Sequence, residues 1–325
     1  MKCLTKTCIQ WAVSAAFTLT LAASAQAGMV LTPAAVTLGF TLSTYADGFP
    51  TTGFGGVGPI GVAFTSAGVL VSSYANGSVV QFASDTDGQH YGSAVSTHGG
   101  FSGAAGMAQI GTHTYLALQG PGSIVELNPD GSLNHVVTSS APGATGLVAA
   151  NGFLYTSAIS SNQILKVDPS TGVATVFKNG FFDGLGVSLD STTLFGASND
   201  GRIHGFNLTS GVETFVSNNV PGGVDGMAVG GGTLAGLMFA NTNSGEIYEI
   251  DMTSLAETLI ASGGSRGDLV TVDPNGSLLL SQTDLMLRLT PRSGGSFTGA
   301  PEPASLALVG LGLIGAALAR RRQAV

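Results

Sequence analysis

The amino-acid sequence predicts an all-β protein, a six-bladed β-propeller with four short antiparallel strands in each blade. Six segments repeat one pattern at a spacing of roughly forty residues, which is a blade-like period. Gly61, Gly106, Gly146, Gly186 and Gly226 mark it in steps of 45, 40, 40 and 40 residues, a regularity that unrelated loops rarely produce. Composition agrees: 9% of the residues are charged, 49 are Gly, and Thr, Ser and Val fill the stretches between turn residues. That is the make-up of short strands joined by tight turns, not of a disordered chain.

Residues 1–27 read as a secretory signal peptide. Lys2 and Lys6 give a basic start and Trp11 to Ala23 is mostly apolar. Ala25 and Ala27 then supply the small residues of a cut after Ala27. The apolar run is too short to favour a retained anchor. Cys3, Cys8 and Trp11, the only residues of their kinds, all lie here, so the mature protein has no disulfide and relies on its packed core. The partner implied at this end is the secretion machinery.

The propeller is expected over residues 28–292. Val36 to Ser43 alternates with period two and reads as a strand ahead of the first full repeat. The fourth repeat shows the unit most clearly. Gly184 to Leu189 is a buried run, Asp190-Ser191 a turn, Thr193 to Ala197 a second strand and Asn199-Asp200-Gly201 a tight turn. Ile203 to Leu208 and Glu213 to Val216 complete the blade. Equivalent inner strands start at Gly61, Gly106, Gly146, Gly226 and Leu269. The sixth repeat stops one strand short at Pro291, and the orphan strand Val36 to Ser43 is expected to fill that place, covering edges an open array would expose. Seven blades would require a degenerate blade within residues 30–60.

Beyond the propeller, residues 293–300 open with Ser293-Gly-Gly-Ser296 and read as a flexible linker. Residues 301–325 form a tail: Pro301-Glu302-Pro303, an apolar helix over 304–319, and Arg320-Arg321-Arg322. At 1.5 Å per residue the helix covers about 24 Å against a hydrocarbon core of ~30 Å, so it is a marginal, transient anchor. The arginines place its end in the cytoplasm and the propeller outside. Gly310, Gly312 and Gly315 permit close approach of another membrane helix. Helix physics alone leaves a permanent anchor open. The order of motif, helix and basic stop resembles the PEP-CTERM sorting signal of Gram-negative bacteria. The resemblance implies transient inner-membrane anchoring, an exosortase-type membrane protease as partner, and release to the cell surface or the extracellular matrix.

Between Gly28 and Ala300 six basic residues face eighteen acidic ones, a net charge near −12. An acidic body argues against nucleic acid as partner and is compatible with cations or neutral glycans. There is no His-Glu-x-x-His, phosphate-binding Gly-rich loop with Lys or EF-hand loop, and the five histidines are scattered. Asp183-Gly184 and Asp225-Gly226 each put a carboxylate just before an inner strand, where a propeller presents residues to the mouth of its channel. The body resembles NHL-type propellers, and both segments resemble those of gluconolactonase-like (senescence-marker) propellers, whose divalent metal is held partly by an Asn and an Asp at these two places. The resemblance puts Asp183 where that family has Asn, and Asp225 at its metal-binding and catalytic Asp. Asp268, at the same phase in the sixth blade, would add a third oxygen ligand for Ca²⁺ in the central channel. Two departures count against this: Val57-Gly58-Pro59 lacks the family's acidic ligand before Gly-Pro, and Asp for Asn changes the charge. The plainer reading makes the three aspartates turn caps, with Arg266 neutralising Asp268.

Two functions follow. The first is an exported surface or matrix propeller, not an enzyme, that binds a glycan, ion or protein at its channel face and serves as a scaffold linked to exopolysaccharide. The second is a divalent-metal-dependent lactonase or esterase-like hydrolase with its site at the channel mouth, Asp225 acting as base or ligand and Asp183 and Asp268 as supporting ligands.

Overall fold

The computed structural model describes residues 28–53 and 56–298. The signal peptide with Ala25 and Ala27, residues 299–300 of the linker, and the sorting signal at 301–325 with its helix at 304–319 lie outside the described residues. Six sheets stand around one axis. Their inner strands are Pro59–Thr65, Ala104–Ile110, Ala144–Ala150, Phe182–Val187, Val224–Val229 and Val270–Val272. Each is followed outward by antiparallel strands in chain order, to the fourth strand in blades one to five and to the third in blade six.

The sequence repeat has a mechanical cause. In five blades the pairing of the inner strand with its neighbour slips at one place: Pro59/Val62, Ala104/Met107, Ala144/Leu147, Phe182/Leu185 and Val224/Gly226. A glycine sits at each bulge, because there the inner strand touches the next blade's backbone. A Cβ on Gly61 would meet Ala105 and Met107, one on Gly146 would meet Asp183, and one on Gly184 would overlap the Asp225 carbonyl. The equivalent residue in the fourth blade is therefore Gly184. Gly186, which keeps the even spacing in sequence, packs against Met227 one layer deeper.

Both ends of the propeller are tied in. The strand that completes blade six is Thr41–Asp47, pairing Thr41 with Thr290 and Leu42 with Leu289. The ring thus closes with six blades as expected, but the closing strand begins later than Val36. Pro33–Leu38 is instead a short helix: Thr32 caps it through its hydroxyl, Pro33 stands in its first turn and Gly39 ends it in a left-handed conformation. Upstream, Val30–Leu31 adds a fifth strand to blade five. The described residues of 30–60 hold no seventh blade.

The seam between blades six and one has a second fastening. An insertion before the outer strand of blade one, Ser96–Gly99, carries Asp85 and Asp87 across to Arg288 on the third strand of blade six. Arg288 also pairs with fully buried Asp273 and lies 5.1 Å from the Tyr45 ring centroid.

The described part of the expected flexible linker is packed. Gly295–Ser296 pairs with Gly231–Gly232, the Phe297 amide donates to the Gly276 carbonyl at 3.0 Å, and the Phe297 ring meets Phe239 edge-on at 4.8 Å. Gly and Ser composition suggested looseness, but the buried Phe297 ring that follows anchors the segment.

Candidate functional site

The residue before each bulge glycine, or before Leu269 in blade six, stands at one end of the channel. Around this mouth the six positions are Ile60, Ala105, Thr145, Asp183, Asp225 and Asp268. One half is apolar or neutral and the other acidic. Hydroxyl and amide groups on the second strands hold the backbone of this ring. Ser72 donates to the Ala105 carbonyl at 2.6 Å, Ser157 to that of Asp183, and Asn241 to that of Asp268 at 3.0 Å. Gln282 accepts from the Ser265 amide at 2.9 Å and so fixes the loop bearing Arg266.

Arg266 links the acidic half. Its Nη2 donates to Asp268 Oδ1 at 2.7 Å and to Asp225 Oδ2 at 3.3 Å. Asp225 and Asp268 are only 2% and 4% exposed, while about a third of the Arg266 side chain is open to solvent. Burial raises Asp225 well above the usual carboxylate range, and the charges of Asp183 and Asp268 raise it further. Burial also raises Asp268, against the opposing pull of Arg266 and of a hydrogen bond from Asp225. Both members of the pair are thus pushed the same way, and each holds its proton more tightly than an exposed carboxylate does. Asp183 is pushed up to about 6, by burial first and then by the charge of Asp268, with Arg266 pulling the other way.

None of these three carboxylates accepts a backbone N–H. The turn-capping role belongs to other aspartates, such as Asp130 at Ser132, Asp190 at Thr192 and Asp251 at Thr253. At the mouth, Asp183 Oδ1, Asp268 Oδ2 and Arg266 Nε are shielded from solvent and have no hydrogen-bond partner, which leaves two acceptors and one donor unspent.

The set fits a divalent metal poorly. Ca²⁺ takes six to eight oxygens, yet two of the three carboxylates are already held by a guanidinium. Among the described residues no group of three or more His, Cys, Asp or Glu is arranged to hold a metal ion. Arg266 stands where a bridging cation would, and its charge repels one.

Sequence reasoning picked out the three aspartates and Arg266 but missed the neutral part of the mouth. Tyr74 and Gln119 are hydrogen-bonded, and Gln119 Nε2 donates to the Thr145 hydroxyl at 3.2 Å. The only signal for Thr145 was its place before Gly146. The apolar mouth residues Ile60 and Ala105 pack with Leu269 in one cluster. A cavity of about 300 Å³ is walled by Val62, Met107, Leu147, Leu185, Met227 and Phe297. The histidines sit elsewhere, paired with carboxylates: His113 with Glu126, His204 with Glu213 and Asp200, and His90 with Asp47.

Comparison with known proteins bears on the tail and on the ring separately. Residues 300–323 match the PEP-CTERM protein-sorting motif. The chain is therefore an exported, exosortase-sorted protein with a propeller body. The match includes Pro301, Glu302, Pro303 and Arg320 to Arg322, and it implies membrane-associated sorting in a Gram-negative bacterium. No curated protein matches the chain by sequence.

Among solved structures, a gluconolactonase from Xanthomonas campestris is similar at TM-score 0.61 and 16% identity, over 81% of this chain and 94% of that one. A structural-genomics target described as a candidate gluconolactonase gives 0.59 and 17%, over 80% and 93%. A chain of a mitotic checkpoint complex gives 0.52 and 12%, over 71% and 74%. At these identities the likeness establishes the propeller fold and nothing about chemistry.

Proposed function

We propose that this protein is a ligand-binding propeller of the cell surface or matrix whose channel mouth takes a neutral, hydroxyl-rich ligand such as a glycan. The observation that carries this reading is the Arg266 guanidinium lying between Asp225 and Asp268. The Arg266 guanidinium offsets part of the charge of the three aspartates and burial opposes their ionisation, so the cluster is far less negative than three free carboxylates would be. A mouth of that charge does not attract anions, and its fixed guanidinium opposes divalent cations. Its spare acceptors at Asp183 Oδ1 and Asp268 Oδ2 and spare donor at Arg266 Nε suit sugar hydroxyls, each of which both donates and accepts. A link to exopolysaccharide and a scaffold role belong to this same reading.

The test is calorimetry of the mature protein with neutral oligosaccharides, with Ca²⁺, and with simple lactones as substrates. We expect saccharide binding that weakens at least about tenfold in Arg266→Ala, with no rise of Tm on adding Ca²⁺. The competing reading, a metal-dependent lactonase, rests on the shared fold and on Asp225 at the mouth. It wins if Ca²⁺ raises Tm and Asp225→Ala abolishes lactone turnover at unchanged Tm.

A further inference from the structure

The two ends of the channel differ, and the chain leaves from only one of them. Inner strands begin at the Asp183, Asp225 and Asp268 mouth and end at the opposite face, the floor. Phe297 lines the cavity together with Leu189, Val229 and Val272, all at or beyond strand ends, so the segment carrying Phe297 lies on the floor. It is sewn there between two blades: Thr233 N–H donates to the Gly294 carbonyl and Phe297 N–H to that of Gly276, each at 3.0 Å. The Arg292 guanidinium donates to the Thr233 carbonyl at 3.1 Å.

Thr298 is the last described residue and Pro301 opens the sorting motif three positions on. Three residues of fully extended chain span at most about 11 Å, which bounds how far from Thr298 the motif can begin. A folded protease that grips Pro301-Glu302-Pro303 at that distance cannot avoid the floor turns.

We infer that the floor face is the surface presented to the membrane-embedded sorting enzyme, which holds the propeller with its Asp183, Asp225 and Asp268 mouth turned away from the bilayer. Charge narrows the kind of contact. The floor turns carry Asp130, Asp168, Asp190 and Asp251, four carboxylates against the one guanidinium of Arg292 in the neighbouring segment. An anionic lipid surface repels such a face, whereas a basic protein surface attracts it. The partner surface is therefore protein, with lysines or arginines facing these turns. This inference rests on the sorting match and on the position of Phe297, and is independent of what binds at the mouth.

Because both native cysteines lie within residues 1–27, single reporter cysteines can map the faces. Thr112→Cys and Ser170→Cys report on exposed floor turns, and Ser160→Cys and Asn243→Cys on exposed turns at the mouth. The full-length chain is labelled with a bulky maleimide in spheroplasts that contain a catalytically inactive sorting enzyme, which holds the tail without cutting it. We expect the floor cysteines to react at least about tenfold more slowly than the mouth cysteines, and at the same rate as them in spheroplasts without the enzyme. High salt should relieve the protection. Equal labelling of both faces in the held state, or protection of the mouth, would overturn the orientation. Floor protection that persists without the enzyme would mean a lipid contact and overturn the assignment of the partner.

Discussion

Arg288 and Arg266 are assembled from the same parts, a guanidinium and three nearby aspartates, yet one closes a seam and the other borders an opening. The Arg288 side chain is 9% exposed and meets Asp85, Asp87 and Asp273, with Tyr45 beside it. The Arg266 side chain is 34% exposed and contacts only Asp225 and Asp268, leaving Nε and the nearby Asp183 Oδ1 without partners. A polar network closed off from water stiffens a fold, while one open at its edge can still offer its donors and acceptors to a ligand. What separates lock from site here is access, not composition.

The strongest way to break that contrast is Arg288→Met. It strands buried Asp273 without a counter-charge and releases the insertion from blade six. The expected cost is about 3–5 kcal/mol, read as a fall in Tm on the order of ten degrees; a melt like the parent's would show that the seam does not depend on this arginine. Arg266→Ala should cost less, about 2 kcal/mol at neutral pH, because its site is partly open to water. Without the guanidinium, Asp225 and Asp268 hold their protons more tightly, so the deficit should shrink as pH falls. A deficit that does not change between pH 7 and pH 4 would argue against charge as its cause.

Asp183→Asn sharpens the comparison with the smallest effect and the opposite sign. The folded protein binds the Asp183 proton more tightly than the unfolded chain does, since its value is raised to about 6. The stability this supplies is complete below the unfolded value near 4 and is lost as pH rises through 6. Asparagine removes that pH-dependent loss. The variant should gain ~1 kcal/mol at pH 7, discounted for partial exposure, and nothing at pH 4. Chemical denaturation at the two pH values reads the difference directly.

Much of the ring was legible because propeller strands are short and their turns carry strong local signals, such as Asn76-Gly77 and Asp168-Pro-Ser-Thr-Gly172. The glycine ladder was legible as a period but not as a cause, so Gly186 took the place that packing gives to Gly184. Val36 to Ser43 fitted an alternating pattern, and the competing signals of Thr32, Pro33 and Gly39 for a short helix were passed over. At the mouth, the phase of the repeat located Asp183, Asp225 and Asp268. That Arg266 also reaches into blade five was invisible, because the contact joins residues 41 positions apart. Likewise Ser293 to Ser296 signalled looseness by composition, while its packing is set by Phe297 and by glycines in two other blades.

The pairing of Thr41 with Thr290 has a consequence for biogenesis. During passage across the membrane, the first stretch to emerge must wait, unpaired, for nearly the whole body to follow, and long-range pairing of this kind is slow and open to aggregation. The zipper can engage only when Met286–Thr290 has come through, which is also when the hydrophobic tail reaches the translocation channel. Completion of the wheel and arrest of its leash are thus almost simultaneous, so a sorting enzyme waiting at the bilayer would meet cargo that has only just become whole.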